Sequence, residues 1–365
     1  MGASRAGFNI AAAVEWDTHA IASHASNFPN SIHIQRDIMQ LDGQTLLALA
    51  KMEKEDVVGI IGGPPCQGFS SIGRGDVDDT RNQLFEKFFV LIEQLKPAFF
   101  LAENVPGIMS PKYNSIREKA FSHVRDYHVL SPVKVNASEY GAPTTRTRYF
   151  FIGYRENHAA IRPFTIADIE NMKICAAERT NVRMALEGIP DNLHFSSNND
   201  GIRTLIPSFY DPAERHIQSD FFYQRVTGMR PLGVGNEQYV QKYVSKHKVN
   251  GCLLTKHTLT VRRRYAALAY GQRDPISKSV RLDPDGFCPT LRAGTGPEKG
   301  SFQAVRPIHY KYPRVIMPRE AARLQGFPDW YELPNTIWHA FRQIGNSVSP
   351  IAAEMVLSAI FQKLT

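Results

Sequence analysis

The feature that most narrows what this chain can fold into is an alternation of apolar runs and helix-patterned stretches over residues 1–154. Residues 10–14, 57–61, 98–103, 130–135 and 149–154 are short, rich in β-branched or aromatic side chains, and read as strands. Between them, residues 18–27, 44–52, 83–95 and 115–125 read as helices. Strand and helix in turn predict an α/β fold with a parallel sheet covered on both faces. The last two strands are separated by Glu139-Tyr140-Gly141-Ala142-Pro143, too short for a crossover helix, so they are expected to pair antiparallel at one edge.

From about residue 155 to 285 the pattern loosens and resists division into elements. Order returns after Thr290, with a helix over 319–325 that Gly326 and Pro328 close, and a final amphipathic helix over 351–364. The longest apolar runs, 57–61 and 98–102, are far too short to cross a bilayer, and residues 1–8 lack the apolar core of an export signal. Neither a membrane nor an oxidising compartment is expected. Cys66, Cys175, Cys252 and Cys288 stand far apart with no CxxC pair, which speaks against both a disulfide framework and a metal site. The formal charge of +8 favours polyanionic partners, because neutralising phosphates releases counterions, but the charge by itself decides little.

Three segments carry chemistry. Directly after the strand 57–61 comes Gly62-Gly63-Pro64-Pro65-Cys66-Gln67-Gly68-Phe69-Ser70. Open parallel sheets bind ligands beyond the carboxyl ends of their strands, and a cysteine on a rigid Pro-Pro turn there projects into a cleft. Such a lone cysteine is elsewhere most often a small buried hydrophobe. The second segment, Ala102-Glu103-Asn104-Val105-Pro106-Gly107, places a carboxylate at another strand end, where it could hold a proton or merely cap the next turn. The third is Arg146-Thr147-Arg148, whose arginines share a face if the segment is extended. Paired guanidinium forks suit a phosphate or a base edge; the plainer alternative is a charged edge that discourages sheet pairing.

Together these segments resemble the DNA (cytosine-5) methyltransferases. The likeness also takes in Val14-Glu15-Trp16-Asp17, Pro289-Thr290-Leu291, the run from Arg319 to Pro328, and Gly345-Asn346-Ser347-Val348. Several motifs in the family's order carry it; no single one would.

The resemblance implies a Rossmann-like sheet that binds S-adenosylmethionine, with a smaller, irregular target-recognition domain. Residues 1–154 would form the catalytic and cofactor domain, 155–289 the recognition domain, and 290–365 the return to the catalytic domain. Cys66 matches the thiolate that adds to cytosine carbon 6, giving an enamine whose carbon 5 takes the methyl group; loss of the carbon 5 proton then expels the cysteine. Glu103 matches the acid that engages ring nitrogen 3 and the exocyclic amine, and Arg146 and Arg148 match the pair that holds the base carbonyl and neighbouring backbone. The target base must leave the duplex stack. Residues 70–81 match the loop that closes over it. For the cofactor, Glu15 matches the ribose-binding acid, Trp16 the side chain beside the adenine, and Asp37 and Ile38 the next adenine contacts, while Pro64, Leu84 and Asn346 match further lining positions. Plain core packing is the alternative for Trp16 and Ile38.

Two departures stand out. The family opens with a strand and a Phe-x-Gly-x-Gly-Gly turn, whereas residues 1–8 match the helix after that turn. A displaced start, a second polypeptide or a lost activity would each account for this, and the expectation is an interrupted sheet with weak cofactor binding. Thr144 also stands where the family usually has glutamine, which bears on a supporting hydrogen bond and not on the reaction. The expected protein is a monomeric restriction–modification type enzyme acting on double-stranded DNA, alongside a cognate endonuclease, in prokaryotic cytoplasm at the nucleoid. A DNA-binding relative with impaired catalysis and a transfer RNA cytosine methyltransferase are the alternatives.

Overall fold

The computed structural model describes residues 1–64, 83–156, 158–190, 201–210, 220–293 and 305–365. The strands of the first part are β1 (Ala12–Val14), β2 (Ile32–Ile34), β3 (Gly59–Gly62), β4 (Phe99–Asn104), β5 (Tyr127–Val129), β6 (Val133–Asn136) and β7 (Thr147–Arg155). The helices among them are α1 (Gly2–Arg5), α2 (Thr18–Asn27), α3 (Gly43–Ala50), α4 (Gln83–Leu95) and α5 (Asn114–Phe121). β1 and β2 pair in parallel as a sheet of their own, and a five-stranded sheet runs in the order β3-β4-β7-β5, with β6 also on β7. The α/β class is as expected, and so is an interruption: among the described residues no ladder joins β1–β2 to β3.

Three local differences from the sequence reading have physical causes. β7 does pair antiparallel with its predecessor, but it is not an edge strand; β4 lies on one side and β5 and β6 on the other. The single strand expected over 130–135 is two strands. Leu130 still donates to the Ile152 carbonyl, Pro132 has no N–H to give, and the ladder resumes at Val133. β2 has no counterpart among the expected strands, since three residues, Ile-His-Ile, are too few to show a period.

The sequence Phe-Phe-Leu-Ala makes β4 apolar on both faces. Phe100 and Ala102 face α4, where Phe85, Phe88, Phe89 and Ile92 close over them with Phe151 of β7. Phe99, Leu101, Phe150 and Ile152 face the other way into the larger core. The approach of α4 explains Gly62, because a Cβ there would stand 2.5 Å from the Phe88 ring.

The loosely patterned middle contains α6 (Ile166–Glu170), α7 (Val182–Leu186), α8 (Asp220–Thr227), α9 (Glu237–Lys246), α10 (Leu259–Ala266) and the antiparallel pair β8 (Arg203–Thr204) and β9 (Lys248–Val249). What organises it is α11 (Pro318–Gln325), whose eight residues are all buried and whose end is capped by Gly326 at φ 91°. Arg319 donates to the Asn250 carbonyl at 2.9 Å, the Asn250 side chain at 2.9 Å, the Tyr239 hydroxyl at 3.1 Å and the Tyr331 carbonyl at 2.9 Å. Arg323 grips Asp329 with both ends of its fork, at 2.8 and 2.6 Å, and donates to the carbonyls of Ala185 and Glu187. Carbonyls taken up by buried guanidinium groups leave no mark in side-chain periodicity, while the short helices also bury apolar residues such as Val182, Leu186, Phe222 and Val226 in the larger core.

The chain ends in α12 (Ile337–Asn346) and α13 (Pro350–Phe361). An 18-residue window within Ile337–Phe361 reaches a mean hydropathy of 1.4, as a membrane span would, but the stretch forms two helices and 61% of that window is buried inside the protein. Their apolar faces are core. α12 straps the separate β1–β2 layer to the rest: Arg342 bonds Asp17 at 2.8 Å, and Gln343 donates to the His19 carbonyl and Ser23 hydroxyl.

Asp329→Ala leaves the Arg323 guanidinium, which is 0% exposed, without its counter-charge. Removing one partner of a buried pair typically destabilises by roughly 3–5 kcal/mol. Thermal unfolding followed by circular dichroism is expected to show a clear drop in Tm, and an unchanged Tm would contradict this account of α11.

Candidate active site

The register of β4 on β7 sets Glu103 opposite Phe150. Arg148, two residues earlier on β7, therefore projects from the same face and sits diagonal to the carboxylate. Its Nε lies 2.6 Å from Glu103 Oε1, with the two side chains 13% and 14% exposed. Burial pushes the Glu103 carboxyl above the usual carboxylate range, while Arg148 and then Arg146 pull it partly back. The cap alternative for Glu103 does not hold, since the turn at Pro106–Met109 begins at Val105 with no side-chain cap.

Arg146 stands just before β7, only 3% exposed, and its Nη1 donates to the Leu291 carbonyl at 3.0 Å. The two arginines thus both act on Glu103 electrostatically, and Arg148 makes the direct ion pair. A solvated edge is also excluded as their role, because Arg146 is buried and β7 is central. Leu291 reaches Arg146 because the chain returns beside the turn before β7: Cys288 donates to the Pro143 carbonyl and Thr145 to the Cys288 carbonyl, each at 3.0 Å. Sequence reasoning missed this strap; a backbone carbonyl has no side-chain signature. Thr144 is buried, and its hydroxyl has no hydrogen-bond partner among the described residues.

The loop that begins at Gly62 leaves from beside Glu103. A Cβ on Gly63 would stand 3.2 Å from Glu103 Oε2, and the buried Asn104 donates its Nδ2 to the Pro64 carbonyl at 3.3 Å. Pro64 is buried at this junction. Cys66 and the expected closing loop fall within 65–82, outside the described residues.

A cavity of about 350 Å³ reaches from Glu103 and Gly63 past Ile61 to Gly2 of α1, with Ser347 and Val348 on its wall. That is the lower end of ordinary small-molecule pockets, roughly 300–1,000 Å³. Asn346, exposed at the end of α12, immediately precedes that wall, and Leu84 is half-buried in the first turn of α4.

Glu15, Trp16, Asp37 and Ile38 form a second group at the carboxyl ends of the parallel β1 and β2, joined where Glu15 donates to the Ile34 carbonyl at 3.2 Å. They do not line the cavity. Trp16 is 72% exposed, which excludes core packing for it. Ile38 does pack, against the small core of Ile34, Leu41 and Ala50. Glu15 Oε1 accepts from the Trp16 and Asp17 amides at 2.9 and 3.0 Å, which fixes the carboxylate and leaves Oε2 without a partner among the described residues. Asp37 caps the following turn through Met39 N at 2.9 Å.

Among the described residues no cluster of three or more His, Cys, Asp or Glu has the arrangement of a metal site. Burial pushes the Cys252 thiol up to about 12 and the Cys288 thiol higher still, so neither supplies a thiolate at neutral pH.

The family model for C-5 cytosine-specific DNA methylases matches residues 1–362. The type II methyltransferase M.XorII of Xanthomonas oryzae pv. oryzae is 35% identical over 374 residues, covering 100% of this chain and 82% of the relative. M.DdeI of Desulfomicrobium norvegicum is 29% identical over 395 residues, covering 98% and 85%. Of solved structures, a prophage-encoded E. coli protein described as a putative DNA modification methyltransferase superposes with a TM-score of 0.85 at 45% identity, over 99% of this chain and 94% of its own. S. pombe Dnmt2 shares the fold, with a TM-score of 0.61 at 15% identity over 98% and 92%. A strand-end acid locked to an arginine, on a methyltransferase sheet, thus has a family: the chain belongs to the C-5 cytosine-specific DNA methylases.

Proposed function

We propose that this protein methylates carbon 5 of a cytosine flipped out of a specific duplex DNA sequence, with Cys66 as nucleophile and Glu103, Arg146 and Arg148 as the groups that hold and polarise the base. The observation that carries the reading is the buried Glu103, raised in pKa, clasped by Arg148 and abutting the loop that leads three residues on to Cys66.

Each group has a task that its surroundings suit. Protonated Glu103 donates to the ring at nitrogen 3, drawing electron density from carbon 6, where the Cys66 thiolate adds. Arg148 holds Glu103 in place, and its fork would serve the base carbonyl. Arg146, fixed by Leu291, keeps a second positive charge behind the pair and stabilises the charge that develops as the thiolate adds. S-adenosylmethionine supplies the electrophilic methyl group.

The donor set fits the adenosine half of that cofactor. Glu15 Oε2 is open to accept from a ribose diol, and the exposed Trp16 indole offers a ring face for an adenine, with Asp37 and Ile38 beside them. Pro64, Leu84 and Asn346 are not among the residues that line the cavity near Glu103, though Pro64 and Asn346 each directly adjoin one that is; all three are proposed to meet the remainder of the cofactor.

Residues 155–289 are proposed to read the target, with 1–154 and 290–365 carrying catalysis. The type II names of the relatives support a restriction–modification setting, in which a cognate endonuclease cuts the unmethylated sequence. We place the enzyme in prokaryotic cytoplasm, at the nucleoid, as a monomer. A second reading, a DNA-binding relative with impaired catalysis, draws on the separation of β1–β2 from the main sheet.

Bisulfite sequencing of DNA from cells expressing the protein is expected to show protected cytosines at one short sequence, and none with Cys66→Ala. Turnover retained by the alanine variant would exclude the mechanism; unmethylated DNA from wild-type cells would favour the second reading. The pH profile tests Glu103. Its raised value means that the donating proton is held below that value and lost as pH rises through it, so kcat/KM is expected to fall on the alkaline side. Glu103→Gln is expected to slow turnover by roughly 10²–10⁴-fold and to flatten that limb; an unaltered rate would show that no proton passes through this side chain.

A further inference from the structure

The sequence offers many basic residues that could face DNA, and the structure sorts them. Arg264 is tied to the buried Asp274 at 2.6 Å, and Arg281 donates to the carbonyls of Ala266, Leu268 and Tyr310. Both hold the fold together. Arg262 and Arg263 differ: they are exposed, and neither meets a carboxylate among the described residues.

Their helix has two clean faces. Val261, Arg264, Tyr265 and then Leu268 point inward, with Tyr265 and Leu268 packed on Ile308 and Val315. Leu259, Arg262, Arg263 and Ala266 form the opposite stripe, all exposed, and Leu259 is 61% exposed in the first turn. Thr258 caps that turn through Val261 N.

Two further arginines outside α10 also have no carboxylate partner among the described residues. Arg306 stacks on the Phe341 ring at 4.2 Å and donates to Thr255 at 3.4 Å, yet it has no carboxylate partner among the described residues. Arg292, exposed, directly follows the Leu291 whose carbonyl holds Arg146. Burial lowers the His257 pKa, and the charges of Arg314, Arg262 and Arg306 lower it further. Of them, Arg314 is neutralised by Glu320 at 2.7 Å. Uncompensated cations set close together repel one another, and a polyanion laid along them relieves that.

We propose that α10 lies against the substrate duplex, with Arg262 and Arg263 each neutralising a backbone phosphate. The inference rests on the reading that the protein acts on duplex DNA, and it assigns a surface that reading left open. These contacts position the duplex over the site without conveying sequence. The bland alternative is a helix face that is simply solvated.

The test is the salt dependence of binding to a short duplex of arbitrary sequence, followed by fluorescence anisotropy. Proteins compared would be the wild type, the double variant Arg262→Gln/Arg263→Gln, the double variant Arg262→Lys/Arg263→Lys, and Arg183→Gln as a control. Arg183 is exposed but already paired with Asp285 at 3.1 Å. Each phosphate contact contributes about 0.9 to the slope of log Kd against log salt concentration, so the glutamine variant is expected to lose about 1.8. The lysine variant and Arg183→Gln are expected to keep the wild-type slope, with unchanged circular dichroism in all four. A glutamine variant with wild-type slope and affinity would overturn the inference while leaving the methyltransferase reading intact. So would one that binds arbitrary duplex normally but methylates a different sequence, which would put α10 on base edges. Failure of the wild type itself to bind duplex would undo both readings.

Discussion

The antiparallel pairing of β4 with β7 decides where the chemistry stands. Parallel neighbours would carry Glu103 and the arginines to the same sheet end only through a crossover helix and a second register. Here the register that sets Phe99 opposite Tyr154 also sets Glu103 opposite Phe150, one diagonal step from Arg148. A slip of one residue would turn Arg148 to the α4 face, among Phe85, Phe89 and Phe151. That slip is prevented by the apolar alternation itself. Phe100 and Phe151 must face α4, and Phe99, Leu101, Phe150 and Ile152 must face the larger core. The acid and its arginine are thus held by packing on two sides, and the same packing removes the water that would otherwise keep Glu103 at an ordinary pKa.

A second constraint ties the middle of the chain to this frame. Arg319 and Arg323 take up carbonyls from residues distant in sequence, Asn250, Ala185 and Glu187, while Asp329 neutralises Arg323. The loosely patterned middle is therefore anchored to one buried helix by hydrogen bonds as well as by the apolar residues it buries in the larger core. The strap from Cys288 to Leu291 then links that region to Arg146.

The legible part of the fold was the part written in side-chain periodicity. β3, β4, β7 and the helices α2 and α4 follow from apolar runs and helical spacing. The C-terminus of α11 follows from Gly326, which adopts φ 91° where other residues would be strained. β2 was too short to register, and the order of the sheet could not be read because β7 is apolar in the same way at an edge or in the centre. In the site, the position of Glu103 and Arg148 was legible from the strand ends, and the exposure of Trp16 excludes the core packing that apolarity by itself had left open. The Leu291 carbonyl and the approach of Gly63 were not legible, since backbone contacts between distant segments leave no local trace.

The central claim, that Cys66 is the nucleophile, is tested most directly by a duplex carrying 5-fluorocytosine at the methylated position. Fluorine on carbon 5 cannot leave as a proton does, so once the methyl group has been transferred the thiolate cannot be expelled. Incubation with S-adenosylmethionine is expected to give a protein–DNA complex that survives denaturation, and peptide mapping by mass spectrometry is expected to place the link on Cys66. No stable complex from protein that methylates ordinary DNA, or a link on the exposed Cys175, would contradict the account.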